Sequence, residues 1–294
     1  MREEISFKSD GLACHGYFYR PQGKSKAPAI VMSHGFSAVK EMGLELFAAR
    51  FAAAGFAVLL FDYRFLGASE GAERGRIVPQ EQHDDIRAAL EWISGRESVD
   101  ANRIGLWGTS YSGGHALFIG ALDPRVKAIV AQAPAIQVAH SLIHLAGREG
   151  FDGYLGLLAD DRARRNAGAP SARIPIVAAE GISLFPTPDA YSWFTHHATK
   201  TWEATTTFES VARMAEYAPA VLIDLIAPKP LLVIAGQRDT LIPIAQVRAA
   251  FARAGEPKSL IEHDCGHFGF YPGEACHDQA ASDAVDWFSR RLRA

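Results

Sequence analysis

Short apolar runs alternate with amphipathic stretches along most of this chain. The apolar runs have the length of strands that are buried on both faces of a sheet, and they cover residues 29–32, 56–61, 104–107, 126–131 and 231–235. The amphipathic stretches carry apolar residues at helical spacing, and they cover residues 41–54, 80–93, 115–122, 243–254 and 280–292. Before them, two segments (3–9 and 12–19) alternate in polarity around Asp10-Gly11, a hairpin turn signal. The pattern predicts an α/β fold, in which a mostly parallel sheet flanked by helices is preceded by an antiparallel hairpin.

Residues 135–228 interrupt this alternation. No pair of strand-like apolar runs is clear there, and helical spacing dominates instead, at 138–145, 154–165 and 208–217. The segment is also rich in aromatic residues: Phe151, Tyr154, Phe185, Tyr191, Trp193, Phe194, Trp202 and Phe208. These aromatics form the core of a helical subdomain, or they line an apolar pocket above the carboxyl edge of the sheet, and both can hold at once. We therefore expect a core domain at 1–134 and 229–294, with a helical cap (lid) inserted at 135–228.

Composition and charge narrow the class of protein. The chain is 48% hydrophobic and 21% charged, which is typical of a globular protein. A formal net charge of −3 and a pI near 6.4 argue against nucleic acid or an anionic membrane as a partner. The polar N-terminal segment has no signal-peptide pattern, and three cysteines are too few for a disulfide framework. We expect a cytoplasmic protein with a small-molecule substrate and no membrane association, while a homodimer stays open.

Residues 103–114 (Arg-Ile-Gly-Leu-Trp-Gly-Thr-Ser-Tyr-Ser-Gly-Gly) contain the most informative motif. Ser110 stands between an apolar run and a helical stretch, with Gly108 two residues before it and Ser112 two residues after it. Small flanking residues fit the tight strand–turn–helix of a nucleophile elbow, which raises one hydroxyl above a sheet and points a helix N-terminus at it. Taken alone, the motif fits a glycine-rich turn with incidental serines better, so the interpretation depends on further matches elsewhere in the chain.

Ser112 is a rival nucleophile, because it stands in a frame of its own, Ser110-x-Ser112-x-Gly114. Ser110 is preferred for two reasons. It keeps glycine at the crowded position before it, and it follows the apolar strand by the short step that an elbow needs. Ser112 is then expected in the first turn of the helix, with its hydroxyl hydrogen-bonded locally.

A nucleophilic serine needs a base, an orienting acid and donors for the oxyanion. Asp239 follows an apolar run, at a strand end where a carboxylate can meet a histidine. His267 comes just past a glycine in the last loop before the closing helix, and it is the candidate base. A His-Gly turn after the first apolar run leaves a backbone N–H free to point at a substrate carbonyl. The N–H groups of Phe36 and Tyr111 are therefore the candidate oxyanion hole.

Other polar residues near these positions are expected to have structural roles. His34 is predicted to be a structural or pocket-wall group, because the base is already supplied. Asp62 lies at a strand end but on the wrong element for the acid, so we expect it to pair with Arg64 or to cap the following loop. Lys40 and Glu41 are expected to cap the first helix.

The alternating residues His263, Cys265 and His267 raise the question of a metal site. A structural zinc site takes four ligands, mostly cysteines and histidines at regular spacings. Without further partners of that kind the signal is weak, and we expect no bound metal. His267 keeps its interpretation as the base.

The order Ser110, Asp239, His267 is the order found in an α/β-hydrolase, and the chain resembles that superfamily over nearly its whole length. Its elbow, Gly-Thr-Ser-Tyr-Ser-Gly at 108–113, resembles the Gly-x-Ser-Tyr-x-Gly motif of the X-Pro dipeptidyl-peptidase and cocaine-esterase type. This resemblance implies a Ser–His–Asp mechanism, no cofactor and a substrate with an ester-like carbonyl.

Two further segments carry a resemblance to other members of the superfamily. Residues 33–41 and 226–230 are similar to bacterial dienelactone-hydrolase-like proteins and to fungal polyketide-processing hydrolases. The chain departs from these patterns at two points. Dienelactone hydrolases proper use a cysteine nucleophile where this chain has Ser110, and the commonest elbow has glycine where Ser112 stands.

The sequence thus predicts a serine hydrolase that cleaves a carboxylic ester, thioester or lactone through an acyl-enzyme intermediate. Ser110 attacks the carbonyl, His267 moves the proton to the leaving group, and Asp239 fixes the imidazole tautomer. The same residues would serve a C–C bond hydrolase, an acyltransferase or a small-peptide aminopeptidase. An aminopeptidase would need an acidic partner for the substrate's ammonium group, and the inserted segment offers Asp152, Asp160, Asp161, Glu180 and Asp189. A non-catalytic ligand-binding member of the fold usually lacks one of the three residues, whereas all three are present here.

Overall fold

An eight-stranded sheet organises the chain, which the computed structural model describes at residues 2–21 and 25–293. The strands are β1 Arg2–Ser9, β2 Leu12–Tyr19, β3 Ala27–Ser33, β4 Ala57–Phe61, β5 Val99–Thr109, β6 Val126–Gln132, β7 Arg173–Pro175, β8 Thr205–Thr207, β9 Leu231–Gly236 and β10 Lys258–His263. The helices are α1 Leu44–Ala53, α2 Pro79–Ser94, α3 Tyr111–Leu122, α4 Val138–Asn166, α5 Pro188–His197, α6 Phe208–Ala215, α7 Ile244–Arg253 and α8 His277–Leu292. Two 3₁₀ helices, Pro219–Leu225 and His267–Phe270, complete the described elements.

The main sheet has the strand order β1-β2-β4-β3-β5-β6-β9-β10. The β1–β2 and β2–β4 pairs are antiparallel, and every later pair in this order is parallel. The hairpin turns at Asp10 (φ 46°) and Gly11 (φ 82°), and successive positive φ angles are what a two-residue primed turn requires. The predicted hairpin and the predicted mostly parallel sheet are confirmed.

Burial explains why the central strands could be predicted from apolar runs in the sequence. Every residue of β3 and of β4 is buried, so helices must cover both faces of the sheet there. Helices α1 and α8 pack against each other and against the sheet, and α2 and α3 form a second such pair. These two pairs supply the cover that the apolar strands require.

The last strand, β10, was not predicted. It lies at the edge of the sheet, and all six of its residues are only partly buried. An edge strand with one neighbour needs no continuous apolar run, so Lys258–His263 shows a mixed pattern in which Leu260 and Ile261 alone are apolar. The position of β10 matters because the candidate base follows it in the chain.

The inserted segment between β6 and β9 contains α4, β7, α5, β8 and α6. The predicted helices at 138–145 and 154–165 both lie within α4, which is interrupted at Gly147, where φ is 70°. The antiparallel pair β7–β8 was missed because three-residue strands carry too little periodicity to detect, and the helix α5 was missed as well. No helix in the described ranges, α4 included, is both long and apolar enough to span a membrane. The division into a core and a cap remains a prediction, and residues 1, 22–24 and 294 of the predicted core lie outside the described residues.

Candidate active site

Four loops that carry the predicted residues meet at one edge of the sheet. Strands β3, β5, β9 and β10 run in parallel, so their carboxyl ends lie on the same side. Phe36 follows β3, Ser110 follows β5, Asp239 follows β9 and His267 follows β10. This edge is where open α/β sheets bind their ligands.

Ser110 has the backbone conformation of a sharp turn between β5 and α3. Its φ of 57° and ψ of −121° are unusual for a residue with a side chain. The conformation is held by hydrogen bonds, because the Ser110 N–H donates to Gln132 O (2.9 Å) and its carbonyl accepts from the N–H of Ala135 (2.9 Å). A Cβ at Gly108 would lie 2.0 Å from Ser112 O, so only glycine fits there. The local geometry is that of the predicted elbow.

Ser112, the rival nucleophile, is fully buried. Its hydroxyl donates to the carbonyl oxygen of His34, and Tyr63 Oη lies 2.6 Å from Ser112 Oγ. Because the single hydroxyl proton of Ser112 goes to His34, Tyr63 must be the donor in the second bond. Ser112 therefore connects the elbow to the loop after β3 and faces no open space. The hydroxyl is hydrogen-bonded, but the expectation of a local bond is wrong, because both partners lie far away in the sequence.

His267 lies between Ser110 and Asp239. Its Nε2 is 2.9 Å from Ser110 Oγ, and its Nδ1 is 2.7 Å from Asp239 Oδ2. The other carboxylate oxygen, Asp239 Oδ1, accepts from the N–H groups of Leu241 (2.9 Å) and Ile242 (2.8 Å). The structure thus brings the three predicted side chains into one hydrogen-bonded chain, with the carboxylate anchored at the far end.

Asp264, which is closer to His267 in sequence, is not its partner. This carboxylate is 76% exposed and pairs with Arg238 at 2.8 Å. His263, the first residue of the alternating histidine–cysteine motif, is likewise engaged elsewhere, with its Nε2 2.9 Å from Asp283 Oδ2. Each of these side chains has its own partner, so the orienting contact to His267 falls to Asp239 alone among the carboxylates described.

The loop after β3 (residues 34–43) approaches the elbow closely. A Cβ at Gly35 would lie 3.1 Å from Ser110 Cβ and 3.4 Å from Ser110 Oγ, so a glycine permits this approach. The rings of Phe36 and Tyr111 meet edge to face, with centroids 5.2 Å apart. Within the described part of the chain, the backbone N–H groups of Phe36 and Tyr111 donate to no protein acceptor. Unengaged N–H donors are what an oxyanion hole needs, and the assignment of these two groups to that role stays a prediction.

A buried ion pair that sequence reasoning missed supports this loop. Lys40 Nζ lies 2.6 Å from Asp62 Oδ2, and the Lys40 N–H donates to Asp62 Oδ1 at 2.7 Å. The expected pairing of Asp62 with Arg64 is wrong, because Arg64 Nε donates to Asp85 Oδ1 instead (2.7 Å). The expected cap of the following loop is confirmed, since Asp62 Oδ2 accepts from the N–H of Ala68 (2.9 Å).

Lys40 does not cap the first helix, and neither does Glu41. Helix α1 begins at Leu44, after Gly43 with a φ of 84°, and it has no side-chain cap. Glu41 accepts instead from the hydroxyl of Thr201 (2.7 Å). His34 is structural, as expected, because it is buried and its Nδ1 donates to Gly35 O at 3.0 Å. The parallel strands β3 and β4 indicate only that their following loops share one edge of the sheet, and they do not indicate which side chains meet there.

Ser110 and His267 line a cavity that opens to solvent, and the free space in it, its open mouth included, is about 670 Å³. Three of the predicted aromatic residues of the inserted segment line it: Phe185, Trp193 and Phe194. Aromatic rings from outside this segment and aliphatic side chains, among them Leu142 and Leu145 of α4, supply most of the remaining wall. Of the residues described there, none is an aspartate, glutamate, lysine or arginine. The cavity therefore suits an uncharged, largely apolar group next to the serine.

The other aromatics of the inserted segment are placed elsewhere. Tyr191 is 38% exposed, and Trp202 donates its indole N–H to Ser37 O (2.9 Å). Phe151 and Tyr154 line a second, smaller cavity. The expectation that these residues divide between a core and a pocket wall therefore agrees with their positions.

A buried histidine network lies below the elbow. His115 Nε2 lies 2.9 Å from Gln82 Oε1, which can only accept, so the neutral imidazole presents Nδ1 as an acceptor to Tyr217 Oη (2.7 Å). His83 Nε2 lies 2.7 Å from the same hydroxyl. Burial disfavours the imidazolium form, which lowers the pKa of His83 to about 3 and that of His115 well below its ordinary value. Both histidines are neutral in the folded protein near neutral pH.

This network makes stability depend on pH. Below the unfolded-state pKa of about 6.5 the unfolded chain gains protons at these two positions and the folded chain does not. The free energy of unfolding should therefore fall as pH drops from about 7 to about 5, by up to about 1.4 kcal/mol per pH unit for each histidine. Urea unfolding at a series of pH values measures this slope.

Two variants test whether the buried histidines cause this change of the free energy of unfolding with pH. His83→Gln removes one of the two titrations, so the slope should become shallower even if the protein is less stable at every pH. His196→Gln changes an exposed histidine of α5 and should leave the slope as it is. An unaltered slope in His83→Gln would contradict the assignment.

Comparison with known proteins agrees with this architecture. The family model of the X-Pro dipeptidyl-peptidase (S15 family) matches residues 10–269. The quorum-quenching protein AidA of Acinetobacter baumannii is 30% identical over 300 residues, which cover 98% of this chain and 94% of that protein. The thiohydrolase aneE of Aspergillus aculeatus is 29% identical over 92% of this chain and 88% of its own length.

A solved structure shows the same fold. The crystal structure of the alpha/beta hydrolase GrgF from Penicillium superimposes over 100% of both chains with a TM-score of 0.86, at 24% sequence identity. The family match covers every strand of the main sheet except β1, and it includes the elbow and the loops that carry Asp239 and His267. The chain is therefore a member of the X-Pro dipeptidyl-peptidase (S15) family and a hydrolase of the α/β type.

Proposed function

We propose that this protein is a serine hydrolase that cleaves a carboxylic ester, thioester or lactone through an acyl-enzyme on Ser110. The observation that carries the proposal is the unbroken chain of hydrogen bonds from Asp239 through His267 to the hydroxyl of Ser110. That hydroxyl lies in the wall of an apolar cavity, where a substrate carbonyl can reach it. A hydroxyl, a base and an orienting carboxylate in this sequence are the parts that acyl transfer to serine needs.

His267 moves the proton in both halves of the reaction. Its Nδ1 carries a hydrogen towards Asp239, so Nε2 is free to accept the Ser110 proton as Oγ attacks the carbonyl carbon. The tetrahedral adduct collapses when His267 returns that proton to the leaving oxygen or sulfur. Water then attacks the acyl carbon and gives a proton to the same Nε2, and His267 passes that proton to Ser110 Oγ as the C–O bond breaks and the acid leaves.

In this proposal the unengaged N–H groups of Phe36 and Tyr111 donate hydrogen bonds to the negatively charged oxygen of the tetrahedral adduct. Tyr111 is the first residue of α3, so its N–H has no acceptor within the helix and the helix dipole adds favourable potential. Phe36 belongs to the loop that Gly35 brings against Ser110. Removing one donor of such a pair typically lowers kcat about 10²- to 10³-fold.

The cavity lining supports an acyl substrate over a dipeptide. A peptide with a free amino terminus needs a carboxylate to pair with its ammonium group, and burying that charge without a partner is unfavourable. None of the acidic residues of the inserted segment lines the cavity among the residues described there. Asp161 accepts instead from the Ala172 N–H (2.7 Å) and pairs with Arg165. The names thiohydrolase and quorum-quenching protein of two relatives also support a non-peptide substrate.

A substrate panel tests the proposal. We expect a p-nitrophenyl ester, an acyl thioester and a lactone to be cleaved with kcat/KM at least roughly 100-fold above a Gly-Pro anilide, because only the anilide carries an unpaired ammonium into an apolar site. Labelling of Ser110 by a fluorophosphonate reports whether the hydroxyl is activated, whichever substrate is preferred. Adding an alcohol acceptor and measuring the transfer product separates hydrolysis from acyl transfer.

The control for the panel is Phe185→Ala. This ring lines the cavity and packs against the rings of Phe36 and Phe194, so its removal should change the ranking among esters more than it slows the best one. A wild-type profile led by the Gly-Pro anilide would overturn the ester proposal in favour of a peptidase. A chain that fails to react with the fluorophosphonate would instead point to a non-catalytic ligand-binding protein.

A further inference from the structure

The turn that carries Phe36 has an unfavourable backbone conformation at its next residue. Phe36 and Ser37 are the central residues of this turn, which the Ala38 N–H closes by donating to Gly35 O (3.3 Å). Ser37 has a φ of 56°, at a position that a turn usually fills with glycine or asparagine. Its hydroxyl has no hydrogen-bond partner among the described residues, so it does not stabilise this conformation. Other contacts must therefore hold the turn in place.

The inserted segment supplies one of these contacts. The indole N–H of Trp202, in the stretch between α5 and β8, donates to Ser37 O at 2.9 Å. The Trp202 ring is itself held in place, because it stacks on Phe194 of α5 with the ring centroids 5.6 Å apart. An N–H group of the inserted segment thus fixes the carbonyl of the strained residue that directly follows Phe36.

A second contact joins the same stretch to the other end of the loop. Thr201 Oγ1 donates to Glu41 Oε2 at 2.7 Å. The Glu41 carboxylate also accepts from the hydroxyl of Tyr17 in β2 (3.3 Å), so it connects the loop to the sheet as well. We refer to the two bonds, from Trp202 to Ser37 and from Thr201 to Glu41, as the clasp. The clasp binds the loop after β3 at two points.

We propose that Trp202 and Thr201 are positioning residues for the Phe36 N–H. Through the clasp they hold the turn at Ser37, and so keep that N–H directed at the oxyanion that forms on a substrate at Ser110. The inference rests on the proposed function for the role of the N–H, and it adds residues of the inserted segment to the catalytic arrangement. Neither Trp202 nor Thr201 lines the Ser110 cavity. Their loss should therefore weaken transition-state stabilisation and leave binding of the ester nearly unchanged.

The Trp202→Phe variant tests the first bond of the clasp. Phenylalanine keeps an aromatic ring against Phe194 and removes the N–H donor. The kcat for a p-nitrophenyl ester should fall roughly 10- to 100-fold, which is less than the loss expected when an oxyanion donor is removed altogether, and KM should change less than about threefold. An unchanged kcat, or a rise in KM alone, would overturn the inference.

The second bond of the clasp and a control are tested in the same assay. Thr201→Val should lower kcat, whereas Thr201→Ser keeps the hydroxyl and should restore it. Trp92→Phe makes the same change as Trp202→Phe at another half-buried tryptophan, which packs on Phe18 of β2, and it should leave kcat unaltered. Equal losses in Trp92→Phe and Trp202→Phe would mean that the clasp has no special role.

The Ser37→Gly background separates positioning from a general loss of packing. Glycine adopts a positive φ about as readily as a negative one, so the turn no longer needs the indole bond to keep its conformation. The loss of kcat caused by Trp202→Phe should therefore be roughly fivefold smaller in the Ser37→Gly background than in the wild-type chain. A loss of ring packing would be the same in both backgrounds, and equal losses would contradict the inference.

Hydrogen exchange distinguishes failure of this inference from failure of the proposed function. The Ala38 amide, whose bond closes the turn, should exchange at least roughly tenfold faster in Trp202→Phe and at the wild-type rate in Trp92→Phe. If the wild-type protein neither hydrolyses an ester nor reacts with a fluorophosphonate, the proposed function fails, whereas faster exchange in Trp202→Phe would still support the clasp. Ester hydrolysis by the wild type together with an unchanged exchange rate in Trp202→Phe overturns the inference and leaves the proposed function intact.

Discussion

Ester hydrolysis is expected to fall by about 10⁴- to 10⁶-fold in kcat when Ser110 is replaced by alanine, whereas Ser112→Ala should keep substantial activity. The proposed reaction passes through an acyl group on Ser110, so its loss removes the nucleophile itself and leaves His267 without a proton to accept. Ser112 has no such role, because its hydroxyl is buried between His34 O and Tyr63. Steady-state hydrolysis of a p-nitrophenyl ester by both variants measures the difference.

The stability of the two variants should follow the opposite order, with Ser112→Ala the more active but the less stable of the two. Ser110→Ala keeps the backbone hydrogen bonds of the elbow, so its unfolding midpoint should stay near that of the wild type. Ser112→Ala leaves His34 O and Tyr63 Oη without a partner inside the protein, which should cost about 1–3 kcal/mol. If Ser112→Ala were the inactive variant and Ser110→Ala the active one, the nucleophile would be assigned to the wrong frame.

Asp239→Asn should keep the fold and lose up to about 10⁴-fold in kcat. The reason lies in the two backbone N–H groups of Leu241 and Ile242, which both donate to Oδ1. They force the amide oxygen of the asparagine into that position and turn its NH₂ group towards His267 Nδ1. A donor facing Nδ1 moves the imidazole hydrogen to Nε2, where it faces Ser110 and blocks acceptance of the serine proton. The pH-independent kcat for a p-nitrophenyl ester is the measurement.

Asp264→Asn is the matched control for this prediction. It makes the same chemical change three residues before His267, at a carboxylate that pairs with Arg238 on the surface. Its kcat should stay close to that of the wild type, because exposed ion pairs contribute little. Equal losses in the two variants, or a larger loss in Asp264→Asn, would mean that Asp239 does not orient the histidine.

The parts of the site that follow from local sequence were predictable. An elbow depends on small residues at fixed offsets from Ser110, and the crowding measured at Gly108 is a contact within the same turn. The chain order of Ser110, Asp239 and His267 also carries information, because parallel strands deliver their following loops to one edge. In the fold, the buried central strands were predictable for the related reason that both faces must be apolar.

The parts that depend on long-range packing were not predictable. The Lys40–Asp62 pair joins residues after two different strands, and its geometry depends on how the loop 34–43 folds back. The edge strand β10 is half-buried, so it has no continuous apolar run to reveal it. The smaller cavity is lined by α4 and by the stretch between β7 and α5, and no spacing in the sequence brings Tyr154 and Ser183 together.

The bond from Ser112 to His34 O has a consequence for how this molecule can be re-engineered. It fastens the elbow to the loop after β3 from inside the sheet domain, and Tyr63, which also belongs to that domain, completes the connection. The inserted segment holds the same loop from the other side, because Trp202 donates to Ser37 O and Thr201 donates to Glu41. Exchanging the inserted segment for one from a relative would therefore replace the walls of the pocket and also remove these two bonds. A graft that keeps Trp202 and Thr201 should thus preserve the alignment of Ser110 with the Phe36 N–H better than a graft that replaces them.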